Sequence, residues 1–510
     1  MIRRLDLLLV NAPSRIAVYG DLARDFAAIE PPVWAGLIAQ HCLDRGFTVA
    51  ILDAEAEGLT VGQTAQKIAE ADTRFCAFCI YGQQPSASTQ CLSAASVVVR
   101  HLLYEQHSEI PTLALGTHPS ALPERTLREE PFDFVCQGEG HQAIAALLNK
   151  EQESIAQYLG DVPGLWWLKH DGDPCPVRGA VIKAVDIDVE LPGQAWELLD
   201  MKRYRAHNWH LWTGDPAGGY ASVQTSLGCP FRCSFCCINA PFGGTGIRYW
   251  SPDNVVGQIA RLVNDHGITN IKIPDEMFCL NPNHVMEICK RLIHSGFAHR
   301  LNIWAYARID TVKNCDMLSL LRAAGFRWLG IGIESGSKHV RDGVQKGKFG
   351  DDDIRAAVGR VRAADIRVAA NYIFGLPDDT HESMQATLDL ACELNTEWAN
   401  FYCAMAYPGS ALHAQFTASN PAGLPENNPC GWLGYAHHAY ESLPLPTATL
   451  TSAEVLDFRD EAFLRYFGRS EYLNMIGDKF GDAAGKNVIR MLAQGKPRRK
   501  HREKKKEVQS

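Results

Sequence analysis

The stretch Cys229-Pro-Phe-Arg-Cys233-Ser-Phe-Cys236 places three cysteines in one short loop, with the spacing C-x3-C-x2-C. Three thiolates can hold a [4Fe–4S] cluster and leave one iron open to an outside ligand. A structural zinc ion would need a fourth ligand, and the adjacent Cys237 is poorly placed to reach the same small ion as Cys236. A disulfide framework is disfavoured, because the sixteen cysteines have no regular spacing. The loop therefore predicts an iron–sulfur cluster.

This cysteine spacing, which follows a strand-like run, resembles that of the radical S-adenosylmethionine (SAM) superfamily. The resemblance implies that Cys229, Cys233 and Cys236 hold the cluster and that SAM occupies the open iron through its amino and carboxylate groups. It also implies a (β/α)6 partial TIM barrel over residues 216–415. Six strand-like runs alternate with helical patterns in this range, and the chemistry of such barrels collects at the carboxyl ends of the strands.

Polar motifs follow successive predicted strands of this barrel, in the order that the superfamily resemblance implies. The resemblance assigns six residues to SAM: Asp275 and Glu276 to its amino group, Arg308 to a carboxylate, Glu334 and Ser335 to the ribose hydroxyls, and Gly375 to the adenine. Each motif alone is a weak signal, because Asp275 or Arg308 could form structural salt bridges and such turns have ordinary explanations. Their shared order is the stronger signal.

Residues 1–150 alternate five short apolar runs with amphipathic helical patterns. This alternation predicts a flavodoxin-like, doubly wound α/β domain, whose ligands bind beyond the carboxyl ends of the strands. The domain resembles the cobalamin-binding domain of many radical SAM enzymes. The resemblance implies cobalamin contacts from loops that carry eight candidate residues: Asn11, Pro13, Asp53, Glu55, Gly58, Gly116, His118 and Gly138. A flavodoxin-like domain without a corrin is the alternative.

One departure from the resemblance bears on the cobalt. Domains that ligate cobalt through histidine carry D-x-H-x-x-G, whereas this chain reads Asp53-Ala-Glu55-Ala-Glu-Gly58. Because position 55 is a glutamate, that loop supplies no histidine, and the lower face of the cobalt would be free of protein imidazole. His118 is a candidate residue near the corrin, although a lone histidine is more often a hydrogen-bonded scaffold residue.

The other regions are predicted to connect the domains and to close the barrel. Residues 151–215 form an aromatic-rich linker, in which Trp209 and Trp212 pack the domains together or form a substrate wall. Residues 416–494 form a helical C-terminal region over the barrel mouth, where Thr451 and Glu454 have the capping-box spacing of a helix start.

Residues 495–510 are predicted to form a basic, disordered tail. From position 496 onward, eight Lys or Arg residues stand against two glutamates, a local charge of +6 in a chain of net charge −8. Such a tail could bind RNA, but it is more often solvated, so nucleic acid is not expected as a partner.

The composition narrows the class of protein. The charged and apolar fractions, 21% and 46%, are ordinary for a globular enzyme. No apolar stretch approaches the length of a membrane span, and no export signal is recognisable. The sequence therefore favours a cytoplasmic enzyme.

Together these features predict a cobalamin-dependent radical SAM methyltransferase that acts on an unactivated carbon of a small-molecule biosynthetic intermediate. The resemblance implies three cofactors, a [4Fe–4S] cluster, SAM and cobalamin, with a 5′-deoxyadenosyl radical that takes a substrate hydrogen and methylcobalamin that supplies the methyl group. It also implies a reducing partner such as flavodoxin or ferredoxin. One alternative uses the same cofactors for radical cyclisation or rearrangement. Another is a non-catalytic iron–sulfur protein that binds RNA.

Overall fold

A computed structural model describes residues 4–20, 22–82, 87–150, 159–168, 174–176, 181 and 183–502. Two largely parallel sheets dominate this part of the chain, and a helical C-terminal region packs beside the second sheet. This is the α/β architecture that the sequence predicts. Among the described helices, none has the length and apolar character needed to cross a membrane.

The N-terminal sheet has seven strands in the order β2-β1-β3-β4-β5-β6-β7, of which the first five are parallel. Its strands are β1 (Leu5–Asn11), β2 (Val49–Asp53), β3 (Thr73–Ile80), β4 (Thr112–Gly116), β5 (Phe134–Cys136), β6 (Leu165–Leu168) and β7 (Pro174–Pro176). Its helices are α1 (Arg15–Tyr19), α2 (Leu22–Asp25), α3 (Val33–Leu43), α4 (Ala54–Glu57), α5 (Val61–Glu70), α6 (Ala87–Tyr104), α7 (Thr117–Ala121), α8 (Pro123–Glu129) and α9 (His141–Leu148). The strand order 2-1-3-4-5 is that of flavodoxin-like folds.

Strands β6 and β7 revise the predicted domain boundary at residue 150. Both pair antiparallel beyond β5, with Phe134 opposite Trp167 and Cys136 opposite Leu165. The first part of the range 151–215 therefore extends the N-terminal sheet, and it is not only a linker. The aromatic run at 165–168 suits a strand as well as a domain contact, so the sequence pattern does not distinguish the two.

The second sheet has six parallel strands in the order β15-β14-β13-β12-β11-β8. Among the described residues its two end strands do not pair with each other, as in an open barrel. The strands of this half are β8 (Tyr220–Ser222), β9 (Ser226–Leu227), β10 (Arg248–Tyr249), β11 (Asn270–Ile273), β12 (Asn302–Arg308), β13 (Phe326–Glu334), β14 (Arg367–Phe374) and β15 (Trp398–Cys403). The helices are α10 (Ile187–Glu190), α11 (Pro252–Asp265), α12 (Pro282–His294), α13 (Cys315–Ala323), α14 (Lys338–Gly343), α15 (Asp351–Ala363), α16 (His381–Leu394) and α17 (Ala411–Ser419). Strands β9 and β10 form a separate antiparallel pair.

Three C-terminal helices follow: α18 (Ser452–Phe467), α19 (Ser470–Phe480) and α20 (Asp482–Leu492). The capping box predicted for Thr451 and Glu454 is formed, because each residue's side chain accepts the other's backbone N–H. Arg459 of α18 donates to the carbonyl of Phe401 on β15 at 2.7 Å. Helix α18 thereby packs beside β15, the free edge strand of the barrel sheet.

Residues 495–502 correct the prediction of a disordered tail. Arg499 is 1% exposed, and its guanidinium donates to Asp460 through Nε at 3.1 Å and Nη2 at 2.8 Å. Arg502 donates to the same carboxylate at 2.8 Å. Because arginine forms two-pronged hydrogen bonds with carboxylates, these positive charges bind helix α18 instead of facing water. Residues 503–510 lie outside the described part of the chain.

Gly116 shows why the carboxyl end of β4 requires a glycine. Its φ is +145°, and a Cβ added there would lie 2.0 Å from the carbonyl oxygen of Ile80 on the neighbouring strand. Only glycine lets two backbones approach so closely. The residue is therefore a packing requirement of the sheet edge.

We expect Gly116→Ala to destabilise the protein by about 2–4 kcal/mol, because the new methyl group meets a backbone carbonyl of the sheet. Gly257→Ala is the control: Gly257 lies in α11, and an added Cβ there meets no atom within 4 Å. Alanine in a helix should stabilise by up to about 1 kcal/mol. Denaturation followed by circular dichroism measures both variants, and equal stabilities would contradict this role of Gly116.

Candidate functional site

A cavity of about 540 Å³ lies where the carboxyl ends of the two sheets face each other. Its walls come from the loops after β1 and β3, from α4, from the cysteine loop, and from strands β11 to β15. Parallel sheets and barrels bind their ligands at this end of the strands. Both halves of the chain therefore contribute to one site.

The cysteine loop forms part of the cavity wall, since Cys229, Cys233 and Cys236 all line it. Asn239 holds the loop closed: its side-chain oxygen accepts from the N–H of Cys229 at 3.1 Å, and its amide donates to the carbonyl of Cys229 at 2.9 Å. Sequence reasoning missed Asn239, because a single asparagine after three cysteines carries no distinctive pattern.

The arrangement of the thiols fits a cluster better than a single ion. Among the described residues, no group of three His, Cys, Asp or Glu side chains is close enough to hold one metal ion, as a zinc site would require. A [4Fe–4S] cluster binds each thiolate at a different iron. Cys237 also lines the cavity, but it is buried beside Gly409.

Asp275 and Glu276 are neighbours in sequence with different surroundings. The carboxylate of Asp275 accepts from the N–H of Thr225 at 2.8 Å, from its hydroxyl at 2.6 Å and from the hydroxyl of Ser226 at 2.6 Å. These bonds tie the segment between β8 and β9 to the loop that follows β11. Glu276 has no hydrogen bond or salt bridge to any described residue, and burial raises its pKa to about 7. Glu276 is thus the carboxylate available to a cationic ligand.

Arg308 lines the cavity but already has a carboxylate partner. It donates to Asp310 through Nε at 3.0 Å and Nη2 at 3.2 Å. Its guanidinium lies 4.1 Å above the ring of Phe231, and Nη1 lies 3.9 Å from the sulfur of Cys233. Arg308 therefore braces the cysteine loop from the end of β12.

Glu334 also lines the cavity, at the end of β13, and forms a salt bridge with Lys346. Its φ of +70° is a left-handed conformation that costs a non-glycine residue free energy. A Cβ on Gly332 would lie 2.6 Å from the Glu334 carboxylate, so the glycine makes room for this side chain. The strand end is built around the Glu334–Lys346 pair.

Ser335 and Gly375, two of the predicted SAM contacts, lie outside the cavity lining. The hydroxyl of Ser335 lies 3.2 Å from that of Thr387. A Cβ added at Gly375 would lie 2.4 Å from the side chain of Val455 in α18. The glycine therefore leaves the space that α18 needs to pack there. The structure gives both residues a structural role and does not bring them to the site.

Two of the eight residues predicted to contact cobalamin, Asn11 and Glu55, line the cavity. The other six do not line it: Pro13, Asp53, Gly58, Gly116, His118 and Gly138. Asp53 accepts from Asn11 at 2.8 Å, from the hydroxyl of Tyr204 at 2.9 Å and from the N–H of Ala56 at 3.2 Å. It caps helix α4, the short helix that carries Glu55.

Glu55 lines the cavity and forms an ion pair with Arg15, in which Oε2 of Glu55 lies 3.4 Å from Nε of Arg15. Position 55, where D-x-H-x-x-G has its histidine, therefore carries a carboxylate, and Arg15 of α1 places a guanidinium beside it. His118 does not replace that imidazole, because it is buried with Nδ1 3.2 Å from the hydroxyl of Thr89 and its ring edge-on to Trp432. Burial lowers the pKa of His118 to about 3, which suits a scaffold residue.

Comparison with protein-family models matches residues 20–148 to the B12 binding domain and residues 223–391 to the Radical SAM superfamily. The chain is a B12-binding radical SAM enzyme. Its cofactors are a [4Fe–4S] cluster, SAM and cobalamin, as the sequence predicts. The cavity fits them, since thiols and an unpartnered carboxylate lie on the barrel side and the strand-end loops of a flavodoxin-like sheet lie on the other.

Similar proteins differ in the reaction that their names describe. An uncharacterised methyltransferase of Pyrococcus horikoshii is 27% identical over 82% of this chain and 84% of its own length. An anaerobic magnesium-protoporphyrin IX monomethyl ester cyclase of Cereibacter sphaeroides is 25% identical over 76% of this chain and 60% of its own length. The radical SAM methyltransferase TsrM of Kitasatospora setae, solved with cobalamin and a [4Fe–4S] cluster bound, shares the fold: TM-score 0.61, 18% identity, covering 83% of this chain and 79% of that one.

We expect alanine at Cys229, Cys233 or Cys236 to abolish cluster assembly, because each change removes one of three thiolates. Cys237→Ala should keep the iron content of the unmodified protein. Iron and sulfide content after anaerobic reconstitution measures all four variants. Cluster loss in the Cys237 variant, or retention in any of the other three, would show that the ligand set is different.

We expect Glu276→Gln to lower SAM affinity about tenfold or more without lowering the melting temperature, because it removes a charge-assisted hydrogen bond to an ammonium group. Asp275→Asn should instead lower the melting temperature by about 2–4 °C or more, because an amide cannot accept all three bonds. Isothermal titration with SAM and calorimetry separate the two effects. The reverse pattern would exchange the roles of the two residues.

Proposed function

We propose that the protein transfers a methyl group derived from SAM to an unactivated carbon of a small-molecule substrate. The observation that carries this proposal is the shared cavity, which the cysteine loop and the strand-end loops of the B12-binding sheet both line. One substrate can therefore contact both cofactor sites. Methyltransferases among the relatives that match both halves support the same reaction.

When bound, the cluster with SAM supplies a radical that removes a substrate hydrogen, and cobalamin supplies the methyl group. In this proposal Cys229, Cys233 and Cys236 hold the cluster. Glu276 binds the ammonium of SAM, because its carboxylate has no partner among the described residues. Asn11 and the Glu55–Arg15 pair face the corrin from the other domain.

The chain's own contribution is to hold the two cofactor sites together and to exclude water. Trp34 stacks on Tyr81 at 4.4 Å and lies 6.4 Å from Phe242, so aromatic rings from both halves form one wall. An apolar wall protects a reactive radical from side reactions. Fixed positions for the reacting groups lower the entropic cost of the reaction.

Radical cyclisation or rearrangement without methyl transfer is the second candidate. The cyclase relative supports it, since that enzyme also matches most of this chain. A reducing partner such as flavodoxin or ferredoxin remains part of the proposal for either reaction. The partly exposed Cys233 suits such a partner, because it brings the cluster loop close to the surface.

An anaerobic turnover assay distinguishes the two reactions. The reconstituted protein is incubated with SAM that carries a deuterated methyl group, a chemical reductant and a metabolite extract. We expect S-adenosylhomocysteine together with 5′-deoxyadenosine, and a product that carries the deuterated methyl group. The Cys236→Ala variant should form neither compound. If 5′-deoxyadenosine forms without S-adenosylhomocysteine, the reaction is not methyl transfer.

A further inference from the structure

Arg459 of α18 contributes a cation to the cavity wall beside β15. The side chain is buried and lines the cavity. Its Nε donates to the carbonyl of Phe401 at 2.7 Å, Nη1 donates to Asp460 at 3.0 Å, and Nη2 lies 3.4 Å from Nε2 of His438. A guanidinium has five N–H groups, so these bonds leave part of its donor capacity without an acceptor among the described residues.

His438, which also lines the cavity, adds a second donor. Arginine can only donate, so Nε2 of His438 accepts and carries no proton. Burial and the nearby Arg459 hold the pKa of His438 well below its usual range, so the ring is neutral and its proton lies on Nδ1. This Nδ1 is buried without a partner among the described residues. Such a donor costs free energy unless an acceptor reaches it.

The neighbouring His437 shows that the unpartnered donor is specific to His438. Nδ1 of His437 accepts from the N–H of Cys403 at 3.4 Å, which leaves the proton on Nε2. That nitrogen lies 3.0 Å from the hydroxyl of Tyr407. Both nitrogens of His437 are therefore used within the protein.

The charge of Arg459 is not cancelled by Asp460, because the basic C-terminal segment takes up that carboxylate. Arg499 donates to both of its oxygens, at 3.1 and 2.8 Å, and Arg502 donates to one of them at 2.8 Å. Although burial opposes the charge, Arg499 and Arg459 hold the pKa of Asp460 at about 2. Three guanidinium groups thus share one carboxylate, although Arg502 also contacts Asp457. The region around Arg459 therefore keeps an excess of positive charge.

We propose that Arg459 and His438 form an anion-binding corner that takes a carboxylate or phosphate group of the substrate. The nearby lining includes Trp398, Phe401 and Phe463, so the rest of the substrate is apolar or aromatic. This inference rests on the proposed function, because it requires that the substrate enters this cavity. The phosphate group of cobalamin is the other source of the same anionic chemistry.

The test compares 1-naphthaleneacetate with 1-naphthaleneacetamide, two probes of similar size that differ in charge. Isothermal titration uses the full-length protein with cluster, hydroxocobalamin and SAM bound. We expect the carboxylate to bind about tenfold more tightly or better, since charge-assisted hydrogen bonds exceed neutral ones. Arg459→Met should remove this preference. Arg465→Met is the matched control on the same helix, because Arg465 is exposed and donates to Gln385, and it should keep the preference.

A second variant tests the role of the C-terminal segment. In Arg499→Met, Asp460 loses its two-pronged partner and neutralises more of the charge of Arg459. We expect the carboxylate preference to fall severalfold although no cavity residue has changed. If Arg459→Met does not fold, His438→Phe keeps a ring beside Tyr19 and removes the Nδ1 donor together with the Nε2 acceptor of Arg459. It should also reduce the preference.

Equal affinities of the two probes for the unmodified protein would overturn the proposal. So would an unchanged preference in the Arg459→Met protein or, where that variant does not fold, in His438→Phe. If Arg459→Met weakens hydroxocobalamin binding to the cobalamin-free protein and leaves the preference intact, the corner serves cobalamin and the proposal is wrong. Binding is measured without turnover, so absence of methyl transfer would contradict the proposed function alone.

Discussion

The structure depends on one constraint, that the carboxyl ends of two separate parallel sheets must face each other across a shared cavity. Glu30 of the N-terminal half and Lys272 of β11 meet at this junction, with Nζ 3.0 and 2.9 Å from the two carboxylate oxygens. Both side chains are buried, and the hydroxyl of Ser222 lies 3.3 Å from Glu30. Such a pair adds little net stability, but removal of one partner leaves an uncompensated buried charge. The pair therefore acts mainly on the relative position of the two halves and adds little to the stability of either one.

Residues of the candidate site divide into those that face the cavity and those that hold its loops. Glu276 and Glu55 line the cavity. Asp275 lines it as well, but its oxygens, like those of Asp53, accept hydrogen bonds from neighbouring protein groups. Gly116 serves close approach of two strands. A motif residue near a cofactor site is thus often part of the support, because strand-end loops need partners for their own polar groups.

The sequence allows the strands and the cysteine loop to be predicted, because both signals are local. Strand β14, for example, coincides with the apolar run Arg367–Phe374 of the sequence, and the three thiols are close in the chain. The division between Asp275 and Glu276 could not be predicted, since the partners of Asp275 lie about fifty residues away. The burial of Arg499 could not be predicted either, because the basic residues around it have the pattern of a solvated tail. Its partner, Asp460, lies in helix α18. In each case the missing information is a contact between distant parts of the chain.

The position of helices α18 to α20 in the chain has a consequence for the order of assembly. Residues 452–502 follow every strand of both sheets, and synthesis proceeds from the N-terminus. Both sheets can therefore form while the edge at β15 is still uncovered. The cavity then lacks the part of its wall that Arg459, Phe463 and Met491 contribute. That wall is completed last, and the contact of Arg499 with Asp460 ties the end of the described chain to it.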